Sequence, residues 1–166
     1  IKEISVTRKF FPPGIHLNII EREPVAFASR FLSNNIEKGM IDIEGYWIPL
    51  QFVNQSKKNK IKLSIENWNP NKKKDILLII KNRFILESPL QTIKINPLQE
   101  ISLRTKHFDS VLLGSGTDRL IEQINKLNQL QKSLPNLLIN TKVKIVDIKD
   151  PSKPELKIER MLNNEN

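Results

Sequence analysis

Gly114, Ser115 and Gly116 stand just ahead of a helical pattern that opens at Asp118. Backbone N–H groups in such a loop, with a helix N-terminus behind them, can cradle a phosphate. The match is poor, because the P-loop lysine and the third glycine of a dinucleotide fingerprint are both missing. A strand-to-helix turn accounts for the glycines. Ser115 lacks the flanks of a nucleophile elbow, and its base would have to be His16 or His107. His16 falls on the polar side of a strand pattern and His107 beside a turn, so both read as exposed structural residues. The two lie too far apart in the chain to form a short-spaced metal site. Glu21 and Glu23 share a strand face, yet Arg22 and Pro24 interrupt any acid–base cluster. Having no cysteine excludes a disulfide framework, a thiolate zinc site, an iron–sulfur cluster and a thiol nucleophile. No catalytic apparatus is visible, and neither a cofactor nor a metal is expected.

Charge offers a second kind of chemistry. There are 27 Lys+Arg against 18 Asp+Glu, a net charge of +9 over 166 residues, which suggests a polyanion such as nucleic acid or an anionic membrane surface. Composition supplies a simpler cause. Lys, Ile and Asn together make 61 of the residues and Ala only two, the product expected of an A+T-rich genome. Only seven residues are arginine, the planar fork that phosphate and base recognition favours. Trp47, Trp68, Tyr46 and the phenylalanines do not interleave with the lysine runs as a base-stacking sheet requires, and read as core. A nucleic-acid or polyanion-binding domain stays the alternative from another functional class.

The elements that would carry any site follow from periodicity and punctuation. Ile4 to Lys9 alternates as a strand, Phe11-Pro12-Pro13-Gly14 turns the chain, and Ile15 to Ile20 returns as the second strand of a hairpin. Pro24 is expected to end that strand. Beyond the polar Ser33-Asn34-Asn35, Met40 to Ile48 reads as two short strands around an Asp42-x-x-Gly45 turn, completing a small sheet up to about residue 50. Residues 51–69, with Lys57, Lys58, Lys60 and Lys62, read as a lysine-rich linker or boundary.

From residue 70 onwards an α+β domain is expected. Asn69 caps a helix over 70–86 with Pro70 at its first position, its apolar residues including Ile76, Ile79, Ile80 and Phe84. Thr92–Ile95, Ile101–Thr105 and Ser110–Leu113 form a meander. Thr117 caps a helix over 118–134, with Leu120, Ile121, Ile124, Leu127, Leu130 and Leu134 on one face and Pro135 closing it. A strand at 143–149, the turn Asp150-Pro151-Ser152 and a strictly alternating strand at 155–159 complete the sheet. Residues 161–166 read as a disordered tail. The longest aliphatic run, Ile76 to Ile80, is far short of the roughly 18–20 apolar residues that span a bilayer. The chain opens on Ile1 and runs straight into a strand, so an N-terminal extension carrying any signal or anchor is expected upstream.

Several motifs together resemble one family. Glu21-Arg22-Glu23-Pro24-Val25-Ala26, preceded by the Phe11-Pro12-Pro13-Gly14 turn and followed by Asp42-x-x-Gly45, is similar to the second half of the POTRA module of FtsQ/DivIB cell-division proteins. Val111-Leu112-Leu113-Gly114, the helix with Leu120 and Leu127, and Val146-Asp147-Ile148-Lys149-Asp150-Pro151-Ser152 resemble that family's β domain in the same order. The likeness covers roughly residues 4–50 and 93–159. The opening strand and helices of a POTRA module and the membrane anchor find no counterpart, and the 57–74 region matches nothing in the pattern. Composition and motif wording resemble those of small-genome cyanobacteria.

The resemblance implies a half POTRA module over 1–50 and an FtsQ-type β domain over 70–160, its helices packed on a mixed sheet. It further implies a noncatalytic divisome scaffold, single-pass in the plasma membrane, with this part on the extracytoplasmic side. Partners of the FtsB/FtsL type would dock by adding a strand at the C-terminal edge. Lys149 and Ser152 stand at motif positions that contact the partner in relatives, although Asp150 and Pro151 depart from the commoner pattern. Glu155, Leu156, Lys157 and Ile158 would form the docking strand, since a short, charged, last strand is what a guarded sheet edge looks like.

Overall fold

The alternation at the start of the chain forms the expected hairpin. In the computed structural model, which describes residues 1–32, 35–116, 118–137 and 141–160, strands β1 (Glu3–Phe10) and β2 (Pro13–Ile20) pair antiparallel, Val6 opposite Leu17. This hairpin is a sheet of two strands by itself. Pro24 opens the next strand, β3 (Pro24–Leu32), instead of ending the second. A proline is tolerated at the first residue of a strand because its missing N–H interrupts no ladder there.

The next elements join a different sheet. β3 pairs antiparallel with β4 (Asn35–Asp42), and β4 with the short β5 (Trp47–Pro49). A 3₁₀ turn (Leu50–Phe52), helix α1 (Gln55–Lys60) and strand β6 (Ser64–Glu66) occupy the segment expected as a linker. β6 runs parallel to both β3 and β7 (Leu90–Ile95), so hydrogen bonding continues across the region where a hand-over between modules was anticipated. The meander then follows as β7, β8 (Ile101–Thr105) and β9 (Ser110–Gly114). β10 (Thr141–Asp147) lies parallel to β9, and β11 (Glu155–Arg160) antiparallel to β10. The result is a nine-stranded mixed sheet, in the order β11-β10-β9-β8-β7-β6-β3-β4-β5. The fold is α+β.

Two helices supply the covering layer. A 3₁₀ turn (Pro70–Lys72), capped as expected by the Asn69 side chain accepting from the Asn71 N–H at 3.0 Å, leads into α2 (Lys73–Asn82). α3 (Leu120–Leu137) lies beside it. Ile76, Ile79 and Ile80 of α2 and Leu120, Ile124 and Leu127 of α3 are buried with Ile93, Leu103 and Val146 of the sheet in one cluster. A second, smaller core of Met40, Ile48 and Val53, flanked by Phe27 and Ile61, is separate from the first. Phe27 and Met40 alternate in sequence with Ala26 and Ile41 of the main cluster, so the β3–β4 pair is buried on both faces.

Several expectations are corrected. Ile121 is 52% exposed, and Gln123 and Gln131 are buried on α3 in positions where only leucine and isoleucine were anticipated. α3 runs two residues past Pro135. Phe84 is exposed in a 3₁₀ turn (Arg83–Ile85), because the α-helix ends at Asn82 and the chain changes direction. The aromatic residues are not mainly core: Trp68 and Phe108 are buried, whereas Phe10, Phe11, Phe31, Phe52 and Phe84 are exposed. The cap assigned to Thr117 and the tail at 161–166 lie outside the described residues.

Candidate partner-docking edge

β11 is the last of the described strands and the outermost strand of the large sheet; among the described residues no strand lies on its outer side. Its inner side pairs with β10, Val146 opposite Leu156 and Val143 opposite Ile158, with a register shift between Val143 and Ile145. Such a bulge increases local twist and discourages indiscriminate edge pairing. Leu156 is half-buried and packs on the main core. Ile158 is 47% exposed, so the expected apolar face of this strand is covered at only one of its two positions. Ile158 lies farther along this marginal strand than Leu156, on the far side of the register shift, where the sheet has no further neighbour among the described residues. Glu155 and Lys157 are exposed, as alternation required.

The turn that delivers β11 is built from local polar chemistry. The Asp150 carboxylate accepts from the Ser152 hydroxyl at 2.7 Å, the Ser152 N–H at 3.0 Å and Arg119 Nη1 at 3.0 Å. These donors, the Ser152 pair first and Arg119 after them, hold the Asp150 carboxyl below its ordinary range. The Asp150 carbonyl also accepts from the Lys153 N–H at 3.1 Å, closing the turn. Pro151 is buried beneath it. Asp150 therefore creates the hydrogen-bonded turn in this chain.

Lys149 is not a free cation. Its ammonium donates to Glu100 Oε1 at 3.0 Å, in the connection between β7 and β8. This contact raises the lysine above its usual value and, with Asn96, holds Glu100 below the usual carboxylate range. The aliphatic part of Lys149 lies on Gly114, where a Cβ would stand 3.2 Å from Lys149 Cγ. Gly114 also has φ +76°, a left-handed conformation that glycine adopts without strain. Glycine at this position thus serves both a turn and a close approach.

Gln123 is the residue that sequence patterning missed. Its Nε2 lies 2.9, 3.0 and 3.1 Å from the carbonyls of Leu113, Ile148 and Lys149. One buried amide on α3 thereby ties together the ends of β9 and β10. The only trace in the sequence was a polar residue one helical turn before Leu127, and periodicity cannot tell a buried polar anchor from a solvated one. Arg119, which bridges Glu122 at 3.1 Å and Asp150, was missed for the same reason.

The structure brings Lys149, Ser152 and Glu155 together around the β10–β11 turn and leads Leu156, Lys157 and Ile158 along the open edge. Ser115 and the two histidines do not converge: Ser115 O accepts from Lys72 Nζ at 3.0 Å, His107 lies at the β8–β9 turn with its N–H donating to Ser88 Oγ at 3.2 Å, and His16 is exposed on the hairpin. The Glu21 carboxylate is paired with Lys57 at 3.1 Å. What this edge can do chemically is offer unpaired main-chain donors and acceptors on a rigidly held strand. Compared with known proteins, the chain matches no family model and no curated protein.

Proposed function

We propose that the chain is a noncatalytic protein-docking part of the bacterial division machinery, of the FtsQ/DivIB kind. On this reading residues 1–50 correspond to the second half of a POTRA module and residues 70–160 to an FtsQ-type β domain, with β3–β5 of the first part paired into the same large sheet as the second. The partner is a segment of FtsB/FtsL type that adds a strand to β11. The protein would stand on the extracytoplasmic side of the plasma membrane, anchored by a single helix; no helix among the described residues is long and apolar enough to cross a membrane.

One observation carries the reading: the ordered motifs lead to β11, and β11 is an open edge whose entry turn is fixed by Asp150, Ser152, Arg119 and Gln123. Strand addition draws affinity from main-chain hydrogen bonds, so an edge held in one place loses less entropy when a partner docks. Lys149 contributes through its pair with Glu100, which a docking segment would have to accommodate or displace.

The test is copurification of the full-length protein with an FtsB/FtsL-like partner from the same genome, with and without a block at the edge. Retention of the partner by the intact edge and its loss on blocking supports the reading. Affinity for nucleic acid that falls steeply with salt, with no partner retained, favours the polyanion alternative that the net charge of +9 keeps open.

A further inference from the structure

β11 carries charges of alternating sign. Along Glu155-Leu156-Lys157-Ile158-Glu159 every second residue is charged, and a lysine stands between two glutamates. The register shift falls in β10, so the alternation along β11 is unbroken: Leu156 lies opposite Val146, Lys157 opposite Ile145 and Ile158 opposite Val143. Glu155 and Lys157 are exposed on one face of the sheet. On the other, Leu156 packs on the main core and Ile158 keeps 47% of its surface open.

A strand edge of this kind always meets one other edge in solution, that of its own copy. Two copies of β11 joined antiparallel about a two-fold axis normal to the sheet present the same patch to each other and keep both helical layers on one face. Even-numbered residues then oppose even-numbered ones, and odd oppose odd. Register decides the charges. An axis through Lys157 sets lysine against lysine and Glu155 against Glu159, whereas an axis through Leu156 or Ile158 sets Lys157 against a glutamate, twice by symmetry. Like charges directly opposite destabilise a strand pair and opposite charges stabilise it. Of the two compatible axes, the one through Leu156 reaches back into the turn before Glu155. The one through Ile158 stays within β11, with Leu156 opposite Arg160, Lys157 opposite Glu159 and Ile158 opposite its own counterpart.

We infer that β11 also pairs with β11 of a second copy, antiparallel about Ile158, and that this pairing occupies the main-chain donors and acceptors a docking segment needs. The half-exposed Ile158 is covered by its counterpart. The contact is one strand wide, well below a standard interface, so the dimer is weak and gives way to a tighter strand. Charge selects its register, which guards the edge against indiscriminate pairing until the partner arrives. Self-pairing stands on the edge alone; its competition with a docking segment rests on the function proposed above.

Sedimentation equilibrium of the intact chain between about 10 μM and about 1 mM tests it, and a monomer–dimer equilibrium is expected. Lys157→Glu and Glu159→Lys, each alone, set like charges opposite each other twice and should weaken the dimer at least about tenfold. The joint variant makes the opposed charges unlike again and should recover the parent's association. Each variant should keep the parent's circular dichroism spectrum. A chain still monomeric at about 1 mM overturns the inference, as does a dimer indifferent to the single reversals or one that the joint variant does not recover. A dimer dissolved instead by Val6→Ser with Leu17→Ser belongs to the first hairpin and overturns it too. The FtsB/FtsL-like partner of the copurification experiment, added to the dimer, should dissociate it. A dimer that persists with that partner bound overturns the competition, whereas a charge-dependent dimer that retains no partner leaves self-pairing standing and removes the docking function.

Discussion

The two margins of the nine-stranded sheet end in opposite ways. At one, β5 is three residues long, finishes on Pro49, which has no N–H to offer, and passes directly into a 3₁₀ turn. The Trp47 ring lies against Gly39, so closely that any Cβ there would overlap it, and Arg30 stacks over the same ring at 4.2 Å. At the other, β11 is six residues long, contains no proline and is held from behind by its turn and by α3. One edge is closed by brevity, proline and packing; the other is kept extended and open. An edge strand is a liability unless it is blunted or used. The contrast within one sheet is what points to use at β11.

Four experiments test that contrast. The largest effect is expected from Gly39→Val, which drives a branched side chain into the Trp47 ring and toward the Ile48 carbonyl, 3.0 Å from an ideal Cβ. Overpacking of this kind should lower unfolding free energy by about 3 kcal/mol, read by urea denaturation, and open the β5 margin to proteolysis. A variant as stable as the parent would mean that the β5 margin is loosely packed.

Proline at the open edge comes next. Adjacent residues of a strand send their N–H groups alternately inward and outward, so of Lys157→Pro and Ile158→Pro one removes a β10 ladder donor and the other an outward donor. The outward variant should keep its circular dichroism spectrum and bind the strand-adding partner at least about tenfold more weakly, the loss expected for one unmade hydrogen bond. Glu155→Ala, which leaves the main chain intact, should weaken binding by less than about fivefold. Normal binding by both folded proline variants would remove β11 from consideration.

Gln123→Leu keeps most of the volume on α3 but strips the Leu113, Ile148 and Lys149 carbonyls of a shared donor. A loss of about 1–3 kcal/mol is expected, with faster amide exchange in the turn before β11 and unchanged exchange around β5. Equal loosening at both margins would show that Gln123 stabilises the whole sheet and not the open edge alone.

The smallest effect concerns pH. Asp150 is depressed in the folded protein by Ser152 and then Arg119, so its contribution is complete above the unfolded carboxylate value, near pH 4, and is lost as pH falls through the lower folded value. Asp150→Asn should lower the neutral plateau slightly and flatten the acid limb, so that the variant and parent profiles converge below about pH 4, where the parent has lost the same contribution. A steeper acid limb in the variant would reverse the assigned sign.

Local pattern made a good part of this legible. The Pro-Pro-Gly punctuation and the alternation on either side of it were enough for the hairpin, and Asn69-Pro70 for the start of the α2 region. The Asp42-x-x-Gly45 turn also formed, Gly45 N–H donating to the Asp42 carbonyl at 2.9 Å with φ +74° at the glycine. β3 was not recognised, because Pro24 to Leu32 is buried on both faces near its start and so lacks strict alternation. The lysine-rich stretch before Ser64 hid β6, whose three residues are too few for any period to register.

Composition and spacing by themselves determined that this is an α+β chain without a thiol site, with two covering helices, a meander and an alternating last strand. These are local properties: each depends on side-chain period, a cap or a turn residue within a few positions. Long-range pairing set the first hairpin apart from the large sheet, joined the early strands to the meander through β6, and left β11 at an open margin among the described residues. The tertiary fold alone also pairs Lys149 with Glu100 and sets Gln123 beneath the β10–β11 turn. Those facts depend on which distant residues meet, and pairing partners, unlike periods, are chosen by the competition of whole strands for neighbours and of buried polar groups for hydrogen bonds.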